Sequence, residues 1–206
     1  MVARSSLVVL QRHVEAVRAC RLCPGVEPPP VAADPLRRAG VLLIGQAPGP
    51  REKVSGRLFA YTAGTRLFSW FAEIGVEEEL FRRRVWMSAT IRCFPGRAPA
   101  GGDRAPDPSE VERCAPFLDR EIALLGPDLV LAVGTLAIAQ FLGPGQLAER
   151  VGRLFAAARA GRTFEVLPLP HPSGRSTWLQ RPAHRRQLTR ALDLLSGHPA
   201  WRRAFG

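Results

Sequence analysis

The segment Val41-Leu42-Leu43-Ile44 is an unbroken apolar run that stops at Gly45. A strand with one wet face alternates polar and apolar residues, so this run belongs to a strand covered on both faces, as in a parallel sheet flanked by helices. Val85 to Ile91 and Asp128 to Val133 read as two further strands, and Arg153 to Arg159 with Thr163 to Leu169 reads as a hairpin around Ala160-Gly161-Arg162. Helical spacing lies between them. Leu67, Phe68, Phe71 and Ile74 precede Gly75, Thr135 to Leu142 forms a short helix, and a last helix starts near Pro182 with Leu188, Leu192 and Leu195. Asp107-Pro108-Ser109-Glu110 is a helix start, followed by the stripe Val111, Cys114, Leu118, Ile122 and Leu125 and the stop at Gly126. At the N-terminus, Ser5 or Ser6 can cap a helix carrying Leu7, Leu10, Val14 and Val17 and ending near Cys20. Strands alternating with helices predict a three-layer α/β/α sandwich around a central, mostly parallel four-stranded sheet. At 206 residues the prior is one domain spanning 1–206.

The chain carries 29 basic and 18 acidic residues, a net charge of +11. That excess points to a polyanionic partner. Lys53 is the only lysine, so nearly all of the positive charge is arginine, which suits bidentate phosphate contacts. Leu7 to Leu10 is interrupted by Gln11, Arg12 and His13, too early for a secretory apolar core. No stretch approaches the roughly 20 apolar residues of a membrane-spanning helix. A soluble, cytoplasmic protein with no membrane partner is expected.

Cys20, Cys23, Cys93 and Cys114 are the only cysteines, the first two in C-x-x-C spacing. Four thiolates suit either a tetrahedral zinc or a cubane iron–sulfur cluster, and the wide separation of the second pair departs from an ordinary zinc ribbon. Gly45-Gln46-Ala47-Pro48-Gly49 follows the first strand, at the strand end where open α/β sheets place their ligands, and its backbone N–H groups can point into a pocket.

Read together, these pieces resemble the family 4 uracil-DNA glycosylases. Gly45 to Gly49, then Gly56-Arg57-Leu58-Phe59, then Ala63-Gly64 resemble the family's first motif with the same internal spacing. Arg92-Cys93-x-Pro95 resembles its K-C-R-P-P, Cys114 lies on the following helix as the fourth cluster cysteine does, and His171-Pro172-Ser173-Gly174 resembles the H-P-S or H-P-A motif. The likeness runs in order from Cys20 to about Trp178.

The resemblance implies a uracil-DNA glycosylase-like fold and a [4Fe-4S] cluster on Cys20, Cys23, Cys93 and Cys114, zinc being the alternative. It implies that Phe59 stacks on an extruded base, and that His171 donates to the carbonyl oxygen where charge develops as uracil leaves. Ser173 and Gly174 would grip phosphate beside Pro48 and Gly49, and Arg175 would enter the duplex in place of the flipped nucleotide.

Two departures bear on the chemistry. Gln46 stands where family 4 is usually acidic, and Ala47 where other branches have Asp or Asn. Ala89 replaces the asparagine that reads the Watson–Crick edge of uracil, leaving Ser88 or Thr90 beside it. With no carboxylate in the motif, water would be held by Gln46 and backbone groups, while Glu52 reads as a solvated loop charge. Tyr61 stands where the family has glycine and would shape the pocket together with Gly45. His13, His184 and His198 read as surface residues.

The expected function is a monofunctional glycosylase that flips uracil or another deaminated base from DNA and hydrolyses its N-glycosidic bond. It would act as a monomer with no nucleotide cofactor. The alternative is a non-catalytic damaged-DNA-binding protein that keeps the fold and the cluster, and a zinc-stapled nucleic-acid module is a third reading.

Overall fold

The apolar run becomes β1 (Val41–Gly45), buried along its whole length and paired in parallel with β2 (Trp86–Ala89) on one side and β3 (Leu129–Val133) on the other. These and the elements below come from a computed structural model that describes residues 2–33, 39–174 and 176–206, with side chains from Leu7 onward. β5 (Arg162–Leu169) continues the parallel sheet beside β3, and β4 (Phe155–Arg159) closes it as an antiparallel edge, in the order β2-β1-β3-β5-β4. Among the described residues the sheet thus has five strands rather than the expected four, because the outer arm of the hairpin pairs along its whole length.

Alternate residues of the central strands feed two cores. Val41 and Leu43 face one side, where α3 (Thr62–Ala72), α4 (Glu78–Arg84), α8 (Pro182–Gly197) and α9 (Pro199–Phe205) pack. Leu42 and Ile44 face the other, against α1 (Val2–Ala19), α5 (Pro108–Leu125) and α6 (Thr135–Leu142). This is the three-layer arrangement, with both faces of the parallel strands dry. On the first side, Phe71 stacks on Phe81 at 4.6 Å, and Trp201 packs against both rings.

The helix boundaries follow local chemistry. Asp107 and Glu110 form a reciprocal capping box at the start of α5, and Gly126 ends that helix in the left-handed conformation. α1 begins at Val2, so Ser5 and Ser6 lie inside it instead of capping it. α2 (Pro50–Ser55), α4, α7 (Leu147–Arg150) and α9 were not foreseen, since helices of one or two turns are too short to display a hydrophobic period.

Two of the histidines expected at the surface are buried. His13 lies with Nε2 3.4 Å from Glu121 Oε1. His198 caps α9 by accepting the Ala200 N–H, with its Nε2 3.0 Å from Glu165 Oε2. His184 is half-buried and stacks on Trp178 at 4.2 Å. Among the described residues no helix is long and apolar enough to cross a membrane.

Candidate active site

The C-terminal ends of β1 and β2, with the segment that leaves β5, surround a pocket of about 850 Å³. Gly45, Gln46, Ala47, Pro48, Gly49, Phe59, Tyr61, Ala89, His171 and Ser173 all line it. The two main loops stay paired beyond the sheet: Thr90 donates to Gly45 O through both its N–H and its hydroxyl, and Ile91 N–H donates to Gln46 O.

Phe59 is held by a set of contacts from distant parts of the chain. Its backbone has φ 54°, a left-handed conformation costly for a non-glycine residue. Arg82 of α4 stabilises that conformation, donating to Leu58 O at 2.9 Å and Phe59 O at 2.8 Å while its guanidinium lies 4.6 Å above the Phe68 ring. Two glycines make room. A Cβ on Gly45 would lie 2.9 Å from Phe59 Cζ, and one on Gly64 would lie 1.8 Å from the Phe59 carbonyl oxygen. The ring edge therefore sits close against the bare backbone of Gly45, and the backbone of Phe59 against that of Gly64, which fixes the aromatic side chain at the pocket wall.

Glu52 belongs to the same assembly and is not a solvated loop charge. Its Oε2 accepts the Gly49 N–H at 2.6 Å and its Oε1 accepts the Ala60 N–H at 3.2 Å, tying the first turn of α2 to the Phe59 loop. Burial raises its pKa above the usual carboxylate value, and the N–H groups of Gly49, Ala60 and Phe59 oppose that rise.

His171 is placed by β5 and by the start of α6. Gly134, with φ 87°, donates its N–H to Leu169 O, and a side chain there would meet His171 Cδ2 at 3.2 Å. The Ser173 N–H donates to His171 Nδ1 at 3.2 Å. That bond makes Nδ1 an acceptor and leaves the ring proton on Nε2, which has no partner among the described residues. Burial lowers the His171 pKa, so the ring is neutral near pH 7. Arg66 of α3 donates to Ser173 O at 3.2 Å and steadies the same loop.

The alternation of β2 separates the two residues expected to read the base. Ala89 faces the pocket, while Ser88 points to the opposite face, where its hydroxyl donates to Glu121 Oε2 at 2.7 Å. Ser88 is therefore not a pocket residue. Glu121 also accepts from Arg92 at 2.7 Å, and both charges are almost fully buried, at 1% and 2% exposure. Arg92 Nε and Nη1 are buried without a hydrogen-bond partner among the described residues.

Those nitrogens belong to a residue that lines a second cavity, of about 70 Å³, together with Cys20, Cys23, Cys93 and Cys114. The Glu27 N–H donates to Phe94 O and the Val31 N–H to Arg92 O, holding the C-x-x-C loop against the segment after β2. Burial, with the neighbouring Cys114, Cys20 and Cys23, pushes the Cys93 thiol up to about 12. Burial also raises Cys114, against the pull of the Arg92 charge. Four thiols around one cavity, beside a guanidinium with two nitrogens left without a hydrogen-bond partner among the described residues, fit an anionic metal–thiolate centre, although among those residues no three ligands close on a single metal ion.

At the mouth, Tyr61 is 46% exposed and the Arg51 guanidinium sits 3.7 Å from its ring centroid, so one ring face is already covered. Gly174 is exposed outside the pocket, and the position foreseen for Arg175 lies outside the described residues. Glu52 and Asp103 are the carboxylates among the lining side chains. Asp103, Arg82 and Arg66 escaped notice in the sequence, where no local pattern distinguishes them from surface charges.

A family model described as the uracil DNA glycosylase superfamily matches residues 33–193. The type-4 uracil-DNA glycosylase of Pyrobaculum aerophilum is 28% identical over 195 residues, covering 91% of this chain and 93% of that protein. The type-4 enzyme of Archaeoglobus fulgidus is 28% identical over 142 residues, 66% of each chain, and that of Thermotoga maritima is 29% identical over 102 residues, 50% of this chain and 48% of that one.

Proposed function

Because the chain belongs to the uracil DNA glycosylase superfamily, we propose that it is a DNA-repair glycosylase that extrudes uracil, or another deaminated base, and hydrolyses its N-glycosidic bond to leave an abasic site. The observation that carries the reading is the His171 ring, neutral and with its tautomer set, lining one pocket with the firmly held Phe59. A base stacked on Phe59 is held by dispersion and by exclusion of water. As the bond to the sugar breaks, negative charge collects on the pyrimidine ring, and the His171 Nε2–H donates to the carbonyl oxygen that receives it. A neutral imidazole is too weak an acid to give up this proton, so it donates a hydrogen bond and the base leaves as a stabilised anion.

The polyanionic partner is DNA. The net charge of +11 supplies attraction along the backbone. Gly49, Pro48 and Ser173 at the pocket rim, with the exposed Gly174 and the Arg175 that follows it in the sequence, would contact the phosphates around the extruded nucleotide. Ala89 cannot form the bidentate amide contact to a base edge, so discrimination rests on pocket shape, on His171 and on Tyr61 at the mouth.

Cys20, Cys23, Cys93 and Cys114 would hold a [4Fe-4S] cluster, and zinc is the alternative. Thiols arranged around a cavity suit a cluster with four metal corners better than one ion needing all four sulfurs about 2.3 Å from a single point. A group bound there would staple the end of α1, the segment after β2 and α5 together, a structural role apart from the bond cleavage.

The test is incubation with a labelled oligonucleotide bearing a single uracil, then alkali. A strand break at that position is expected. Tight binding with no break from uracil, hypoxanthine or xanthine would instead favour a damaged-DNA-binding protein, the reading suggested by Gln46, Ala47 and Ala89.

A further inference from the structure

We propose that Asp103 is the carboxylate that holds and deprotonates the hydrolytic water, in place of the acidic residue missing from the first motif. The inference rests on the glycosylase reading above. Four carboxylate, amide or imidazole side chains line the pocket, and three of them are committed elsewhere or unable to take a proton. Gln46 is a neutral amide. Glu52 spends both oxygens on backbone N–H groups, and His171 has its Nδ1 occupied by Ser173.

Asp103 differs from all three. Its Oδ1 lies 3.4 Å from Arg97 Nη1, and its Oδ2 has no donor among the described residues. Oδ2 stands 3.6 Å from where a Cβ on Gly49 would be, against the loop that carries Gln46 and Ala47. A side chain at residue 49 would begin in van der Waals contact with this carboxylate.

The loop that bears Asp103 is braced. Ala98 N–H donates to Gly102 O and Arg104 N–H donates to Gly96 O, which brackets Asp103 with backbone hydrogen bonds on both sides. The Arg104 side chain is pinned in turn by Glu110 and by Gly25 O. The carboxylate is thereby preorganised without being buried.

In the step, the water oxygen bonds to the sugar C1′ while the C1′–N1 bond breaks and its electron pair leaves on the pyrimidine. The water proton passes to the Asp103 carboxylate and then, through solvent, to the departing base. Water and the nucleotide yield the abasic sugar and the free base, with nothing left over.

The experiment compares wild type with Asp103→Asn, Asp103→Glu and Asp103→Ala in single-turnover release of uracil from DNA. It also measures Kd for a non-cleavable 2′-fluorinated uracil oligonucleotide, Tm, and rescue of Asp103→Ala by formate. Expected are a roughly 10²-fold slower rate for Asp103→Asn with Kd and Tm little changed, partial activity in Asp103→Glu, and acceleration of Asp103→Ala by formate but none of His171→Ala. An Asp103→Asn rate within about threefold of wild type would overturn the inference and leave the glycosylase reading standing. Parallel loss of rate, Kd and Tm, with no formate rescue, would overturn it in favour of a loop-bracing role. A wild type that releases no deaminated base would fail at the earlier step and take both readings down.

Discussion

Gly64→Ala isolates the contact that fixes the aromatic platform. A Cβ at residue 64 would lie 1.8 Å from the Phe59 carbonyl oxygen and 2.5 Å from its carbonyl carbon. Both are backbone atoms, so no side-chain rotation relieves the overlap. Either the first turn of α3 or the Phe59 peptide must retreat by roughly 1 Å, and overpacking of this kind costs about 1–3 kcal/mol. Retreat of the peptide also stretches its 2.8 Å hydrogen bond from Arg82. At roughly 2–4 °C per kcal/mol for a chain of this size, calorimetry should show a Tm lower by about 2–12 °C. A positioning group displaced by ~1 Å can cost ~10²-fold, so single-turnover base release should fall by about that factor. Gly45→Ala provides a contrast, because its Cβ would meet the edge of the Phe59 ring at 2.9 Å and 3.0 Å, and a ring can tilt where a peptide cannot. There the rate should fall with a smaller loss of Tm. Gly197→Ala, in open space at the end of α8, is the control and should match wild type. A Gly64→Ala protein with wild-type Tm and a rate within about threefold of wild type would refute the account of Phe59.

Other outcomes follow from the same geometry. His171→Ala should lower base release by about 10²–10³-fold while changing the Kd for uracil-containing DNA far less, and equal loss of both would mean that His171 serves binding alone. Because burial depresses the His171 pKa, its contribution to stability is complete above about pH 6.5 and is lost as pH falls through the depressed value. Denaturation of wild type and His171→Ala at a series of pH values should therefore differ in slope only on the acid side of that point, and identical slopes there would exclude the assignment. Arg82→Lys cannot span the carbonyls of Leu58 and Phe59 at once, so a loss of about 1–3 kcal/mol in chemical denaturation is expected, together with slower base release; unchanged stability would count against the clamp. Anaerobically purified protein should absorb broadly near ~400 nm, and Cys93→Ser should lose that band and its iron; a colourless, zinc-loaded wild type would decide for zinc.

The elements that could be read along the chain are those whose cause is local. The unbroken run of β1, the capping box of Asp107 and Glu110 and the stop at Gly126 involve neighbours within a turn, so their outcome is written in a few consecutive residues. The cysteine set and the ordered motifs were legible for a similar reason: each piece is short, and its order along the chain carried the resemblance. The sheet's fifth strand was half legible, since the hairpin was visible but its pairing against β3 was not. What only the tertiary structure decided are matters of facing and of long-range contact. A shift of one residue along β2 sends Ala89 into the pocket and Ser88 to Glu121, and no composition reveals which face a register selects. Arg82 meets Phe59 across 23 residues, and Asp103 comes to the motif loop from beyond β2, because the parallel connections bring strand ends together that the sequence keeps far apart. The sequence by itself determined a covered parallel sheet, a basic chain and a set of four cysteines; the folded chain decided which polar groups face the pocket and which are spent on holding it open.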